Sequence, residues 1–185
     1  MKGESVMPAA KIAKPEEMTH LNAHRVVAKD HPRIRFRGQL DQLQARIVLV
    51  QLELEREADH RELIDELEDI LSLLRRVMRS EVLDEPLEDE RILGLTLEEL
   101  RAQSHDPKAA FGVDPMAPPS RRFGRAWALM NLLRAESRVA EETAVAAFKT
   151  GPSKAQQQLL RIMNRLSSVF HILMCRLQAD VEHGG

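Results

Sequence analysis

The sequence has few of the residues that cross-link a chain or build sheet cores. It contains one cysteine, Cys175, and no tyrosine, and aromatic residues make up 3% of its 185 residues. A single cysteine excludes an intrachain disulfide and a cysteine-rich metal site. Because Cys175 lies among Leu, Ile and Met residues, we interpret it as a small core residue rather than a nucleophile. Scarce glycine and a charged fraction of 30% predict long amphipathic helices, and so a nearly all-α protein.

Long apolar runs and a strong charge of one sign are also missing. No run approaches the roughly 20 apolar residues that cross a bilayer, and the first residues lack the order of a signal peptide. We therefore expect a cytoplasmic protein that has no membrane partner. The net charge of −2 gives no sequence-wide basic footprint for nucleic acid. Only Arg33, Arg35 and Arg37 form a local basic cluster, which could bind the phosphates of a small ligand as readily as those of a polymer.

Apolar residues recur at intervals of three and four along most of the chain, which predicts an up-and-down helical bundle. The first helix is expected to begin between residues 35 and 38 and to carry an apolar row as far as Leu54. The others are predicted over about residues 60–82, 96–104, 121–148 and 154–181. Thr96 and Glu99 have the spacing of a capping box, and Ser153 is expected to cap the last helix. We therefore expect an all-α, five-helix bundle.

Three segments lie outside this helical pattern. Residues 1–13 are expected to be a disordered leader. Residues 14–34 code clearly for neither strand nor helix; their lysines, threonine and histidines could wrap a phosphate or could form a solvent-exposed leader. Residues 105–120 contain four prolines and a glycine and form a long loop, which predicts a functional or mobile segment. Phe111 in this loop could pack down as an anchor or have a functional role.

A polar seam interrupts the helix predicted over residues 121–148. Arg134, Arg138, Glu141 and Val145 are spaced by four, three and four residues, so an α-helix places them along one side. Such a row is often a solvated charge ladder. Here the flanking residues carry almost no charge, as in a helix buried in a core or an interface, where a charge needs a partner or a ligand.

The last predicted helix carries a second polar side. Asn164, Ser168 and His171 share it. A single histidine in this position is more often structural than catalytic, and we interpret His171 in that way. Composition and spacing take the function no further.

Six segments of the chain resemble the corrinoid (cobalamin) adenosyltransferases of the ethanolamine-utilization type, which are related to the propanediol-utilization-type enzymes. They follow the family's order between about Lys14 and Leu177. The most specific is Arg134-x3-Arg138-x2-Glu141 followed by Asn164-Arg-Leu-Ser. The other segments are Lys14–Leu21, Val27–Arg33, Phe36–Asp41, Gly94–Leu100 and Asn131–Arg134.

The resemblance implies an activity and an assembly. Members of this family transfer the 5′-deoxyadenosyl group of ATP to the cobalt of a reduced corrinoid, forming adenosylcobalamin and triphosphate. They are five-helix bundles that form trimers, with ATP and corrinoid bound at subunit interfaces. Residues 14–183 would thus be a single adenosyltransferase domain. The cofactors implied are ATP, Mg²⁺ bound with ATP, and cobalamin or another corrinoid.

The resemblance also assigns roles to individual residues. Phe111 would crowd the lower axial face of cobalt, and Arg138 would act on ATP in catalysis. Asp41 would form an intersubunit salt bridge with Arg134. His105 matches the family less clearly than Phe111 does. The ATP-binding residues implied are Lys14, Thr19, Lys29, Arg138, Glu141 and Asn164.

The chain departs from the ethanolamine-type pattern at its N-terminus. Those relatives usually carry an additional region with a His and Cys cluster that binds a metal, and this sequence lacks those cysteines, so no protein metal site is predicted. A reductase, an adenosylcobalamin-dependent lyase and a bacterial microcompartment are the surroundings that the resemblance implies. Two other hypotheses are a carrier that binds adenosylcobalamin without making it, and a purely structural helical oligomer.

Overall fold

The computed structural model describes residues 15–57, 60–114 and 118–183. A two-stranded antiparallel sheet precedes the helices: β1 is Met18–Asn22 and β2 is Arg25–Ala28. Four long helices and two short ones follow. They are α1 Pro32–Leu54, α2 Arg61–Leu83, α3 Leu97–His105, α4 Pro107–Phe111, α5 Gly124–Phe148 and α6 Lys154–His183. A 3-10 turn, Arg121–Phe123, leads into α5.

The long helices bury one apolar row each. On α1 the buried residues run from Phe36 to Leu54 at intervals of three and four, and α5 and α6 meet along most of their length. Phe36 and Phe148 lie edge to face, with ring centroids 5.4 Å apart, and are both fully buried. The core therefore lies between α1, α2, α5 and α6, and positions the polar residues on the outer sides of α5 and α6.

The predicted helical class is confirmed, and each predicted helix is present with ends shifted by a few residues. The first begins at Pro32, earlier than expected, because Pro32 suits the first turn of a helix and the His31 Nδ1 atom accepts a hydrogen bond from the Arg33 N–H group. Both expected caps are present: Thr96 and Glu99 form the capping box, and the Ser153 hydroxyl accepts a hydrogen bond from the Gln156 N–H group.

Two short elements were not predicted. The β1–β2 hairpin occupies part of residues 14–34, and α4 lies inside the predicted loop 105–120. Asp106 caps α4 by accepting a hydrogen bond from the Ala109 N–H group at 3.0 Å. The predicted leader, residues 1–13, lies outside the described residues.

The basic cluster at the start of α1 serves the fold. Glu81 on α2 is buried, and it accepts hydrogen bonds from Arg33 Nε at 2.5 Å and from Arg37 Nε. Arg33 also lies 5.9 Å from the centre of the Phe148 ring. Two of the three arginines are thus committed to a buried carboxylate, so the interpretation of the cluster as a phosphate site is wrong for Arg33 and Arg37. Arg35 is exposed.

No helix among the described residues is long and apolar enough to cross a membrane.

Candidate functional site

The polar sides of α5 and α6 meet at one point. Asn164 Nδ2 on α6 donates a hydrogen bond to Glu141 Oε1 on α5 at 2.5 Å. The contact joins two residues that are 23 positions apart in the sequence and that the family resemblance assigns to ATP. It fixes the direction of the Glu141 carboxylate and leaves its second oxygen available to another group.

Arg134 and Arg138 lie on the same side of α5, one turn apart. Arg134 is half-buried and donates two hydrogen bonds to Asn131 Oδ1, from Nε at 3.1 Å and from an Nη atom at 3.0 Å. Its partner is a neutral amide, so the charge of Arg134 is not balanced by this contact. Arg138 is exposed one turn further along, where its guanidinium group can reach an anion in solvent.

The N-terminal hairpin carries two further predicted residues. Thr19 lies in β1 opposite Val27 and is half-buried. Lys29 follows β2 and is exposed; its backbone N–H donates to the Glu17 carbonyl oxygen at 2.8 Å. Lys14 lies outside the described residues.

Phe111 is the last residue of α4. It is half-buried and packs against the main core, as the anchor interpretation expects. Gly112 ends the helix with a φ of +74° and donates its N–H to the Lys108 carbonyl oxygen, a backbone conformation that favours glycine. His183, at the end of α6, lies against Gly112: a Cβ atom added there would be 3.2 Å from His183 Cε1. His105 is exposed at the end of α3.

Asp41 is exposed on α1. It shares a side of that helix with Val48 and Leu52, which are seven and eleven positions further along. Val48 and Leu52 are themselves 42% and 54% exposed, so this side of α1 carries solvent-facing apolar residues in the single chain.

A cavity of about 270 Å³ lies between α5, α6 and the segments on either side of residues 115–117. Arg134 lies on its wall, so the cavity adjoins the seam. Its lining residues are Asp114, Pro118, Pro119, Trp127, Asn131, Arg134, His171, Met174, Cys175 and Gln178. Four of these, Trp127, Met174, Cys175 and Gln178, are buried.

Burial sets the protonation of two groups in the cavity wall. It raises the pKa of the Cys175 thiol to about 11 and lowers the pKa of His171, with the nearby charge of Arg134 as a smaller cause. Cys175 Sγ lies 3.7 Å from His171 Nε2. The thiol is therefore protonated and the imidazole neutral at neutral pH, which makes Cys175 a poor nucleophile, as the sequence predicts.

Sequence reasoning missed Trp127 and Gln178, which reach the same cavity from α5 and α6. The available signal was the spacing of Trp127, Asn131 and Arg134 by four and three residues, which places the chain's single tryptophan beside the seam. Within the described residues, no group of three His, Cys, Asp or Glu side chains is arranged to hold a metal ion.

The cobalamin adenosyltransferase family model matches residues 13–177. Curated relatives include the corrinoid adenosyltransferases EutT of Salmonella typhimurium, 37% identical over 88% of this chain, and of Escherichia coli, 38% identical over 90%. The chain spans about 60% of the length of these relatives, 59% of the first and 60% of the second.

Solved structures with the same fold include PduO-type ATP:corrinoid adenosyltransferase variants from Lactobacillus reuteri. One, complexed with cobalamin and ATP, has a TM-score of 0.66 at 20% identity and covers 91% of each chain. Another, complexed with ATP, has a TM-score of 0.65 at 20% identity, covering 91% of this chain and 92% of that one. With the motifs in order and the family model matched over most of its length, the chain belongs to the cobalamin adenosyltransferase family.

Proposed function

We propose that this protein transfers the 5′-deoxyadenosyl group of ATP to the cobalt of a reduced corrinoid, releasing triphosphate. The observation that carries the proposal is the family match over residues 13–177. The direct contact between Glu141 and Asn164 supports it, because it joins the two motifs that are most specific for the family. The names of the curated relatives, which are corrinoid adenosyltransferases, agree with it.

ATP would bind between the seam and the N-terminal hairpin. The exposed guanidinium group of Arg138 can donate two parallel hydrogen bonds to phosphate oxygens, while Glu141 and Asn164 form one preset polar group beside it. Lys14, Thr19 and Lys29 would supply donors from the N-terminal segment. Breaking the C5′–O bond leaves negative charge on the triphosphate, so cationic donors stabilise the transition state where charge builds up.

The reaction requires no general base from the protein. Cobalt(I) supplies the electron pair that forms the Co–C5′ bond, and the electron pair of the C5′–O bond leaves with triphosphate. Phe111 would act on the corrinoid rather than on ATP: an apolar ring at the lower axial face would exclude a fifth ligand and favour a four-coordinate cobalt(II), which is easier to reduce.

Mg²⁺ would arrive with the phosphates of ATP. The free oxygen of Glu141 is a hard carboxylate ligand of the type that Mg²⁺ accepts directly or through water, so the residues present fit such an ion. Bound there, the ion would screen the phosphate charge.

The active form would be a trimer in the cytoplasm. Among the described residues, Arg134 has only a neutral hydrogen-bond partner, Asn131, and exposed Asp41 lies on the side of α1 that carries the exposed apolar residues Val48 and Leu52. A neighbouring Asp41 would balance the charge of Arg134 and bring that apolar surface into an interface. A reductase would supply electrons, and an adenosylcobalamin-dependent lyase, alone or in a microcompartment, would accept the product.

The test is an anaerobic assay with ATP, Mg²⁺ and chemically reduced cob(I)alamin, followed by the spectral change to adenosylcobalamin. Turnover would support the enzyme. Tight corrinoid binding without turnover would instead favour the adenosylcobalamin carrier. If neither ATP nor corrinoid raised the unfolding temperature, a structural oligomer would remain, since a ligand at a hundred times its dissociation constant adds about 2.7 kcal/mol of stability.

A further inference from the structure

The wall of the cavity beside the seam contains a buried donor that has no acceptor among the described residues. Trp127 is 3% exposed, and within the described part of the chain its indole Nε1–H has no hydrogen-bond partner. Leaving a buried donor unpaired destabilises a fold, and buried polar groups are nearly always paired. Since Trp127 forms part of the cavity wall, a ligand that enters the cavity can supply the missing acceptor.

Two amide side chains complete the polar wall. Asn131 uses its Oδ1 to hold Arg134, which leaves its Nδ2 as a further donor. Gln178 uses its Nε2 to hold Glu182 Oε1 at 3.0 Å, which leaves its Oε1 as an acceptor. Gln178 is 4% exposed. The cavity thus offers donors on α5 and an acceptor on α6, and the rest of its wall is largely apolar.

We propose that this cavity binds a peripheral carboxamide group of the corrinoid, with the amide oxygen accepting from Trp127 and the amide nitrogen donating to Gln178. This inference rests on the proposed function. A volume of about 270 Å³ is slightly below the range of about 300–1,000 Å³ that holds a whole drug-sized ligand. The cavity therefore accepts a substituent at the edge of the macrocycle, and corrin rings carry acetamide and propionamide groups at that edge.

The arrangement favours an amide over a carboxylate. A carboxylate has no hydrogen to donate, so one of its oxygens would face the Gln178 oxygen without a hydrogen bond. Asp114 at the exposed rim would also repel it. Arg134 is the cation in the wall, but the proposed salt bridge with Asp41 of a neighbouring subunit would balance its charge. Trp127 and Gln178 are therefore specificity residues for amidated corrinoids and do not touch the reacting atoms.

The test compares two probes and three variants. Dissociation constants are measured by equilibrium dialysis for cobinamide, which keeps the peripheral amides, and for cobyrinic acid, which carries carboxylates in their place. Trp127→Phe removes the donor together with part of the buried ring, and Gln178→Leu removes the acceptor. Gln157→Leu is the matched control, because Gln157 is an exposed glutamine on the same helix.

We expect Trp127→Phe and Gln178→Leu each to weaken cobinamide binding about five- to tenfold, the effect of one lost hydrogen bond. Gln157→Leu should leave it unchanged. The preference for cobinamide over cobyrinic acid should fall in Gln178→Leu. The KM for the corrinoid should rise in both cavity variants, while kcat at saturation and the KM for ATP stay the same.

A purely structural role for Trp127 predicts a loss of stability without a loss of binding. Trp127→Phe breaks no hydrogen bond among the described residues, so a lower unfolding temperature in this variant reports the lost packing of a buried ring, whereas weaker cobinamide binding by the folded variant reports the lost donor. Unchanged cobinamide binding in both cavity variants, with normal binding by the unsubstituted protein, would mean that the cavity holds only water and would overturn this inference alone. Failure of the unsubstituted protein to bind or adenosylate any corrinoid would overturn the proposed function as well.

Discussion

Arg138 is the residue on which the proposed chemistry depends most. Arg138→Ala should lower kcat/KM for ATP by about 100- to 1,000-fold, because it removes a fixed donor from the position where charge develops. The kcat/KM of Arg138→Lys should lie between those of the unsubstituted protein and Arg138→Ala, because a lysine keeps the positive charge but cannot donate two parallel hydrogen bonds. Both are measured in the anaerobic adenosylation assay.

Arg75→Ala is the matched control for Arg138, since Arg75 lies on α2 with 58% of its side chain exposed. It should retain full activity. Normal turnover by Arg138→Ala would remove the ATP assignment from α5. Because Arg138 is exposed in the single chain, the variant should fold and assemble normally.

Glu81 should be the most sensitive carboxylate for stability. It is buried between Arg33 and Arg37, so Glu81→Gln leaves two cations facing a neutral amide and should cost about 2–4 kcal/mol in the free energy of unfolding. Glu68→Gln on the same helix is the control, because the Glu68–Arg75 pair is more than half exposed on both sides and should cost less than about 1 kcal/mol. Urea unfolding measures both.

A small, equal loss in the two variants would show that the Glu81 cluster is solvated.

The cluster also shows where residue-level reading of the sequence failed. Glu81 follows Leu74 and Val77 by seven and four residues, so it continues the buried row of α2. A carboxylate in that position requires a cation nearby. Which cation pairs with Glu81 depends on tertiary contact, here with Arg37 and Arg33, which lie 44 and 48 positions away in the sequence.

His171 should make stability depend on pH. Burial lowers its pKa in the folded protein, so the unfolded chain binds a proton more readily, and stability falls as the pH drops through about 6.5. Arg134 on α5 adds to this effect. His171→Gln should lose this contribution, so its unfolding temperature should decrease less than that of the unsubstituted protein between about pH 7.5 and 5.5. An equal decrease in unfolding temperature in the two proteins would contradict the assignment of this pH dependence to His171.

At the scale of elements, the long helices could be predicted because each repeats its apolar residues over six or more turns. The hairpin could not. Its strands have five and four residues, and Leu21 and Val27 are their only buried members, so there is no alternating run to detect. Helix α4 was also missed, although Asp106-Pro107 has the cap and first-turn residues of a helix start, because five residues give too few positions for a period.

Gly112 controls the end of α4 and therefore the position of Phe111. Gly112→Ala forces an alanine into a φ of +74° and should destabilise this segment by about 1–2 kcal/mol. Its Cβ would also displace the His183 ring. We expect faster hydrogen exchange at the amides of residues 108–112 and lower adenosylation activity.

Gly38→Ala is the control for Gly112. Gly38 is in the interior of α1 with no atom within 4 Å of an added Cβ, so alanine should stabilise the helix by about 0.5–1 kcal/mol. Equal exchange at residues 108–112 in the unsubstituted protein and in Gly112→Ala would show that the glycine does not hold this segment.

At the scale of the whole molecule, the family's fold was predictable but its assembly lies outside a single chain. Leu49 and Leu132, at 46% and 39% exposure, are apolar residues on α1 and α5 that no element among the described residues covers fully. The sequence marks such residues as helical but does not say which chain covers them. The family resemblance supplied that expectation, and the Asp41–Arg134 pair gives it a direct test.

Exchanging the charges of this pair separates an intersubunit bridge from an intrachain one. Asp41→Arg and Arg134→Asp should each disturb assembly and activity, because each places like charges together across the interface. In a ring, a subunit with Asp41→Arg beside one with Arg134→Asp regains an opposite pair at their shared interfaces. Mixing the two inactive variants and refolding them together should therefore restore part of the activity and the trimer mass, measured by sedimentation.

The same mixture has no such effect if the two residues meet within one chain, because each chain then keeps its own like-charged pair. In that case only the double variant, Asp41→Arg with Arg134→Asp in one chain, would recover. Recovery by mixing requires that Arg134 forms its salt bridge with a residue of a neighbouring subunit. Since Arg134 also forms part of the cavity wall, it would further mean that the proposed corrinoid site is complete only in the assembled protein.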